Sequence, residues 1–182
     1  MFRENVEKGT PLGRKAKTVM DAGDLVSDEI VNEMVRERIS RPDCARGFLL
    51  DGYPRTLPQA HALEEILQRE GRPTPLVVDL KVGYDVIVAR LAGRRICPAC
   101  HRTYNLNLQP PAKAGVCDED GTPLQQRADD REEAIRGRLS AYEAQTSPLE
   151  DFYRGQGRFH EINADQSPEQ ITVALSRIFD AS

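Results

Sequence analysis

The stretch PLVVDLKVGYDVIVARLAGRR, residues 75–95, decides the fold class. Its first part, PLVVDLKV, is a short apolar run between a proline and a glycine, which is typical of a buried strand in a parallel sheet. Its second part, YDVIVARLAGRR, has the composition of a helix. The segments GFLLDGYP (47–54) and TLPQAHALEEILQRE (56–70) repeat this order of strand and helix. The alternation predicts βαβ units and a doubly wound α/β fold.

Three further segments extend the pattern. SDEIVNEMVRERI (27–39) and DDREEAIRGRLSAYEAQ (129–145) are predicted helices, and FHEINA (159–164) is a predicted strand. The last predicted helix, SPEQITVALSRIF (167–179), begins with Ser167 as cap, Pro168 at the first position and Gln170 completing a capping box. Its predicted buried face consists of Ile171, Ala174, Leu175, Ile178 and Phe179.

The composition excludes several classes of function. The chain has 182 residues, a net charge of −4 and 30% charged residues, which argues against general attraction to nucleic acid. No apolar run approaches the roughly 20 residues of a membrane span, and the first residues lack the apolar stretch of a signal peptide. We therefore expect a cytoplasmic protein without nucleic-acid or membrane partners.

The segment RRICPACHRTYNLNLQPPAKAGVCDED, residues 94–120, interrupts the strand and helix order. Its prolines and glycines predict an inserted module of turns and short hairpins. Cys97 and Cys100 form C-x-x-C, and Cys117 and Asp120 repeat the spacing as C-x-x-D. Two such knuckles joined by a hairpin are what a closed, structural zinc site needs.

Other interpretations of the cysteines remain open. A redox pair lacks the strand and helix context of thioredoxin-like motifs. Core packing is the ordinary role of a lone cysteine and is the one that we assign to Cys44. For the fourth ligand, His101, Asp118 and Glu119 are neighbouring alternatives to Asp120.

Arginines form the second constellation. They follow predicted strands or flank the inserted module, and they are Arg55, Arg90, Arg94, Arg127 and Arg138, with Arg3 near the start. Single arginines usually belong to a solvated face. Their placement predicts convergence on an anion, because guanidinium groups suit phosphate oxygens and the charge of a transferring phosphoryl group.

Together these segments resemble adenylate kinase of the long-lid, zinc-containing bacterial type. The resemblance covers the whole chain in collinear order, through DAGDLVSDEIV, GFLLDGYPRTLPQA, GRRICPACHRTYN, QRADDREEAIRGRL and SPLEDFYRGQG. It implies the reaction ATP + AMP ⇌ 2 ADP with Mg²⁺, a role in purine nucleotide homeostasis, and a monomer. The implied fold is that of the P-loop nucleoside monophosphate kinases, with core at residues 1–93, an AMP-binding region at 1–26, a zinc lid at 94–130 and core at 131–182.

The resemblance also implies roles for individual residues. The residues implied for AMP are Arg3, Asp24, Leu25, Val26, Gly52, Tyr53, Pro54, Arg55, Gln59, Arg127 and Arg138. The residues implied for ATP are Arg94, Thr103, Tyr104 and Gln166. The residues implied for catalysis are Arg55, Arg90, Arg94, Arg127 and Arg138, together with Asp51, which would hold Mg²⁺ through water.

One feature of the family is missing from the sequence. It contains no G-x-x-x-x-G-K-[ST] motif, the loop that cradles phosphates in P-loop proteins. We therefore expect the first two strands of the family's sheet to lie upstream of Met1. The alternatives are an inactive remnant that binds nucleotide or acts as a zinc knuckle, or a kinase for another nucleoside monophosphate. The expected preference for adenine rests on Gln59 and the type of lid.

Overall fold

A computed structural model describes residues 2–21, 26–127 and 130–181, with the backbone alone at residues 2, 3, 20 and 21. The chain is mixed α/β and divides into two compact units. The first comprises Met1–Pro75 and Gln145–Phe152, and the second comprises Leu76–Ala144 and Tyr153–Ser182. None of the helices in the described ranges is long and apolar enough to span a membrane.

The N-terminal segment of the first unit contains the helices α1 (Phe2–Glu7), α2 (Pro11–Asp21), α3 (Asp28–Ile39) and α4 (Leu57–Arg69). A 3₁₀ turn follows α3 at Pro42–Cys44. The sequence explains α3 well, because acidic residues occupy its first turn and arginines its last, where they complement the helix dipole.

Two apolar clusters hold this unit together. The larger lies between α3 and α4 and consists of Val35, Ile39, Leu63, Ile66 and Leu67. The smaller lies between α2 and α3 and consists of Leu12, Ala16 and Met34. Cys44 is also buried, as expected of a packing cysteine.

The second unit contains a parallel pair of strands, β1 (Val77–Lys81) and β4 (Phe159–Asn163), in the register Val77 to Phe159 and Lys81 to Asn163. Helix α5 (Tyr84–Ala92) follows β1 and leads into the antiparallel hairpin of β2 (Arg94–Ile96) and β3 (Thr103–Asn105). Helices α6 (Glu132–Ala141) and α8 (Pro168–Asp180) also belong to this unit. Between them in the chain lie a π-helical turn at Tyr142–Thr146 and helix α7 (Pro148–Arg154), most of which belongs to the first unit. The parallel pair and the predicted capping box of α8 are both present.

Two predicted features differ from the structure. The strand predicted at residues 47–54 is absent: residues 48–50 form no strand, because no strand pairs with them within the described ranges. Phe48 and Leu50 pack on the larger apolar cluster, whereas Leu49 is 81% exposed. The burial predicted for Phe179 is wrong, since that ring is 54% exposed, while the other four residues of the predicted face are half-buried.

Candidate functional site

The loop between residues 51 and 56 presents Arg55 at the surface of the first unit. The Nε of Arg55 donates to the carbonyl of Gly52 at 2.7 Å, and the hydroxyl of Thr146 donates to the carbonyl of Arg55 at 2.9 Å. Gly52 has φ of 72°, and a Cβ there would lie 2.8 Å from Nη2 of Arg55. The left-handed backbone at position 52 therefore favours glycine, whereas the flexible guanidinium group of Arg55 could move away from a Cβ.

Gln59 lies behind this loop, and only 7% of it is exposed. Its Oε1 accepts the backbone N–H of Arg55 at 2.8 Å, and its Nε2 donates to Oδ1 of Asp28 at 2.6 Å. The hydroxyl of Thr56, the cap of α4, donates to Oδ2 of Asp28 at 2.8 Å and accepts the N–H of Gln59 at 3.2 Å. The structure thus connects the starts of α3 and α4 through one buried amide.

The structure describes three of the other residues implied for AMP, namely Tyr53, Pro54 and Val26. The hydroxyl of Tyr53 donates to Oδ1 of Asn32 at 2.7 Å, and Pro54 is half-buried. Val26 packs on the smaller apolar cluster. Asp24, Leu25 and the side chain of Arg3 lie outside the described residues.

In the second unit, Arg94 is held by a buried carboxylate. Its Nε donates to Oδ2 of Asp130 at 2.8 Å, and its Nη2 donates to Oδ1 of the same group. The side chain of Asp130 is fully buried, whereas that of Arg94 is 25% exposed. A bidentate pair of this kind fixes the plane of the guanidinium group.

Arg90 lines a cavity of about 310 Å³ between α5 and the segment that follows β3. Its guanidinium group donates to the carbonyl of Ala164 at 3.3 and 3.4 Å and lies 3.9 Å from Asp165. Asn105 also lines the cavity and donates to the carbonyl of Arg90 at 2.8 Å. The cavity combines apolar walls from Val86 and Leu108 with these polar groups, which suits a heteroaromatic ring.

The remaining residues of the predicted site are less constrained. The Nε of Arg127 is buried and has no hydrogen-bond partner within the part of the chain that the structure describes. Arg138 lies on α6 and is exposed. Asp51, Thr103 and Gln166 are exposed as well.

The structure brings the four predicted zinc ligands together. The ligand atoms of Cys97, Cys100, Cys117 and Asp120 all lie within 4.8 Å of one another. The sulfurs of Cys100 and Cys117 are 3.5 Å apart, and the sulfur of Cys97 is 3.3 Å from Oδ2 of Asp120. Ligands around a tetrahedral zinc ion are separated by about 3.6–3.8 Å, given bonds of about 2.3 Å to sulfur and about 2.1 Å to oxygen. The donor set and its spacing therefore fit zinc.

The two knuckles have the same backbone design. In the first, the N–H of Cys97 donates to the carbonyl of Arg102, and the N–H of His101 donates to the carbonyl of Cys97. In the second, the N–H of Cys117 donates to the carbonyl of Thr122, and the N–H of Gly121 donates to the carbonyl of Cys117. The residue after the second ligand is left-handed in both, with φ of 62° at His101 and 69° at Gly121. Repeated C-x-x-C and C-x-x-D spacing thus produces a repeated fold.

Tyr104 contacts this cluster from the hairpin and is buried. Its hydroxyl lies 3.4 Å from the sulfur of Cys117 and accepts the N–H of Asp118 at 2.9 Å. Burial, followed by the contact with Cys117, raises the pKa of Tyr104. The hydroxyl of Tyr104 is therefore engaged by the cysteine cluster.

The acid and thiol groups of the cluster have shifted pKa values. The pKa of Cys100 is raised to about 11, because the hydrogen bond from the backbone of Arg102, which lowers it, is outweighed by burial and by the neighbouring thiols and carboxylate. The pKa of Asp120 is lowered, first by the backbone N–H of Thr122 and then by its side chain. Thiols and a carboxylate of this kind bind a metal cation in their deprotonated forms.

Sequence reasoning missed two carboxylates that position other residues, Asp28 and Asp130. Both stand in quoted segments, but nothing in their spacing distinguishes them from ordinary acidic residues at the start of a helix. What marks Asp130 as a positioning residue is the complete burial of its side chain, which the sequence does not show.

Comparison with known proteins gives a consistent result. The family model described as adenylate kinase matches residues 1–158. A protein named adenylate kinase from Geobacillus sp. (strain WCH70) is 50% identical over 178 residues, which are 98% of this chain and 82% of that protein. Its namesake from Bacillus subtilis (strain 168) is 48% identical over 171 residues, 94% of this chain and 79% of the relative. That from Symbiobacterium thermophilum is 43% identical over 182 residues, 100% of this chain and 84% of the relative.

Proposed function

We infer individual residue roles from the premise that this chain belongs to the adenylate kinase family. The chain is a phosphotransferase with the fold of the P-loop nucleoside monophosphate kinases. Its proposed reaction is the reversible transfer of the terminal phosphoryl group of ATP to AMP, which gives two ADP. Such transfer depends on positioning and charge neutralisation more than on acid or base chemistry, and the arginines described above supply both.

The proposed AMP site lies in the first unit. Arg55 would bind the phosphate, since its guanidinium group is exposed and, within the part of the chain that the structure describes, its side chain bonds only through Nε, to the carbonyl of Gly52. Gln59 would read the base through its buried amide. Tyr53, Pro54 and Val26 would line the pocket, with Arg3, Asp24 and Leu25 completing it.

The proposed ATP site lies in the second unit. The cavity beside Arg90 has the size and mixed walls that suit an adenine ring, and Gln166 and Thr103 would border it. Arg94, oriented by Asp130, would neutralise charge on the transferring phosphoryl group. Arg127 and Arg138 would also bind phosphate, and the buried Nε of Arg127 supports this role because it has no partner among the described residues.

Two metals are proposed. Zinc would be held by Cys97, Cys100, Cys117 and Asp120, where four protein ligands leave no open position, so its role would be structural. Mg²⁺ would accompany ATP, with Asp51 contacting it through water. The engagement of the Tyr104 hydroxyl by the cluster supports a positioning role for Tyr104 in the proposed lid at residues 94–130. Residues 1–93 and 131–182 would form the core of a cytoplasmic monomer.

The buried amide of Gln59 beside Arg55 is the observation that carries the assignment of AMP as acceptor. In this assignment a base-reading group and a phosphate-binding group would lie four residues apart, in the loop before α4 and in its first turn. The assignment is tested by calorimetric titration of the 182-residue chain with AMP, CMP, UMP, GMP and adenosine. We expect AMP to bind most tightly of the four monophosphates.

Variants of two arginines separate recognition of the phosphate from recognition of the base. Arg55→Ala should weaken AMP binding by about tenfold to a hundredfold, while adenosine binding stays within about twofold. Arg69→Ala is the matched control, because Arg69 is an exposed arginine at the far end of α4, the helix that follows the Arg55 loop, and pairs with Glu65. It should change neither affinity. Equal losses of AMP affinity in both variants, or an equal loss of AMP and adenosine binding in Arg55→Ala, would contradict the assignment.

A further inference from the structure

The amide of Gln59 is held in one orientation by chemistry that allows no exchange of its two ends. The carboxylate of Asp28 can only accept a hydrogen bond, so the atom that faces it at 2.6 Å has to be the donor Nε2. The backbone N–H of Arg55 can only donate, so the atom that faces it at 2.8 Å has to be the acceptor Oε1. A flipped amide would lose both bonds and set like groups against each other inside a buried site.

Asp28 is itself fixed by a second bond. The hydroxyl of Thr56 donates to its other oxygen at 2.8 Å, and the same hydroxyl accepts the N–H of Gln59 at 3.2 Å. Asp28 is the first residue of α3 and Thr56 is the cap of α4, so two helix starts support the carboxylate. The orientation of the amide is therefore built into the packing of α3 against α4.

After these bonds, Gln59 keeps one N–H on Nε2 and one lone pair on Oε1, neither of which has a partner within the described ranges. A donor and an acceptor at the two ends of one amide match an adenine edge, where the 6-amino group donates and the neighbouring ring nitrogen accepts. A 6-oxopurine shows an acceptor at position 6 and, on its Watson–Crick edge, a donor at position 1. The fixed amide would meet that edge with its donor and acceptor in the wrong order.

We propose that Asp28 is a specificity-determining residue that acts through Gln59 and makes the site select 6-aminopurine over 6-oxopurine monophosphates. The proposal rests on the proposed role of Gln59 in reading the base of the acceptor nucleotide. Asp28 contacts no substrate itself, so it is a positioning residue. Its contribution is to prevent the flip that would let one glutamine serve both kinds of base.

The test compares AMP with IMP, which differ only at position 6 and in the proton on the adjacent ring nitrogen. Calorimetry on the 182-residue chain gives the ratio of the two dissociation constants, which needs no phosphoryl transfer. We expect the unsubstituted chain to favour AMP by about a hundredfold or more, since a site built for hydrogen bonds rejects a mismatched partner strongly. The ratio should fall at least about fivefold in Asp28→Asn, whose amide can face either end of the Gln59 amide, so that only the N–H of Arg55 still opposes the flip. It should fall further in Asp28→Ala.

Thr56→Val is the matched control for stability. It removes one hydrogen bond of the same carboxylate and the cap of α4, but it leaves the acceptor that faces Nε2 of Gln59. Its melting temperature should fall while its AMP to IMP ratio stays within about twofold of the unsubstituted chain. A ratio that falls as far in Thr56→Val as in Asp28→Asn would show a general loss of packing and would overturn the proposal.

Gln59→Leu distinguishes failure of this proposal from failure of the proposed function. If it abolishes selectivity while both Asp28 variants keep it, Gln59 reads the base and Asp28 does not orient it. If Gln59→Leu retains the original ratio, the base-reading role of Gln59 is wrong, and the role of Asp28 is wrong with it. Because Asp28→Asn is nearly isosteric, an unchanged ratio in that variant overturns the proposal even if Asp28→Ala does not fold.

Discussion

The Gln59 network and the cysteine cluster both hold polar groups in fixed positions, but different forces support them. Gln59 and Asp28 lie on helices whose contact is filled by five buried apolar side chains, Val35, Ile39, Leu63, Ile66 and Leu67. The cluster in the inserted module has only Cys97, Tyr104 and Cys117 as buried members, with Leu124 packed against them. A module with so few apolar side chains cannot stabilise itself by burial alone.

This difference predicts how each site should respond when one of its hydrogen bonds or metal ligands is removed. The first network should tolerate the loss of one hydrogen bond, because the apolar core keeps α3 and α4 together. In the inserted module, two of the three buried members are proposed metal ligands, so structure and metal retention are expected to fail together.

The largest expected effect is therefore the unfolding of the inserted module when the proposed zinc ion is removed. Removing zinc with a chelator, or replacing Cys117 by serine, should unfold residues 96–125, because binding of structural zinc contributes on the order of 10 kcal/mol. Amide hydrogen exchange should show lost protection at β2 and β3, with protection of α3 and α4 unchanged. Cys44→Ser is the control, because Cys44 is buried outside the cluster. A zinc-free chain that retains protection at β2 and β3 would contradict a structural role for the proposed zinc site.

The next effect compares two ion pairs within the second unit. Asp130→Asn leaves Arg94 without its buried carboxylate, and we expect the free energy of unfolding to fall by about 3 kcal/mol. The control is Glu132→Gln, which breaks a pair with Arg136 whose side chains are 72% and 69% exposed, and this should cost less than about 0.5 kcal/mol. Urea unfolding measures both changes. Similar losses in the two variants would mean that burial of Asp130 carries no special weight.

Positions 28 and 130 also show where sequence reasoning ends. The strand at residues 77–81, the capping box of α8 and the paired knuckles were predictable, because each depends on residues near one another in the chain. The bonds from Asp28 to Gln59 and from Arg94 to Asp130 join residues 31 and 36 positions apart. Such pairings depend on how elements distant in the chain pack together, which no local spacing encodes.

At residues 48–50 and at Phe179, the sequence predicts burial that the structure does not show. Both have the apolar composition of buried elements, yet Leu49 and Phe179 are mostly exposed. Local pattern predicts which face of an element is apolar, but burial requires a neighbour. For residues 48–50, no strand within the described ranges supplies one.

The smallest expected effect is a difference in stability between substitutions in the two knuckles. They share a left-handed residue after the second ligand, but this is His101 in one and Gly121 in the other. Because a side chain costs about 1 kcal/mol in that conformation, Gly121→Ala should destabilise the zinc-loaded module by about that amount. His101→Gly should be neutral or stabilise it by up to about 1 kcal/mol, because the relief of strain is partly offset by the flexibility of glycine in the unfolded chain.

Thermal unfolding of the zinc-loaded chain measures both changes, and Gly137→Ala calibrates them. Gly137 lies inside α6 and a Cβ there would meet nothing within 4 Å, so alanine should stabilise that helix by about 0.5–1 kcal/mol. The same substitution then has opposite signs at positions 121 and 137, which isolates backbone conformation as the cause. If Gly121→Ala were as stabilising as Gly137→Ala, the left-handed turn would not limit the second knuckle, and the backbone equivalence of the two knuckles would carry no energetic consequence.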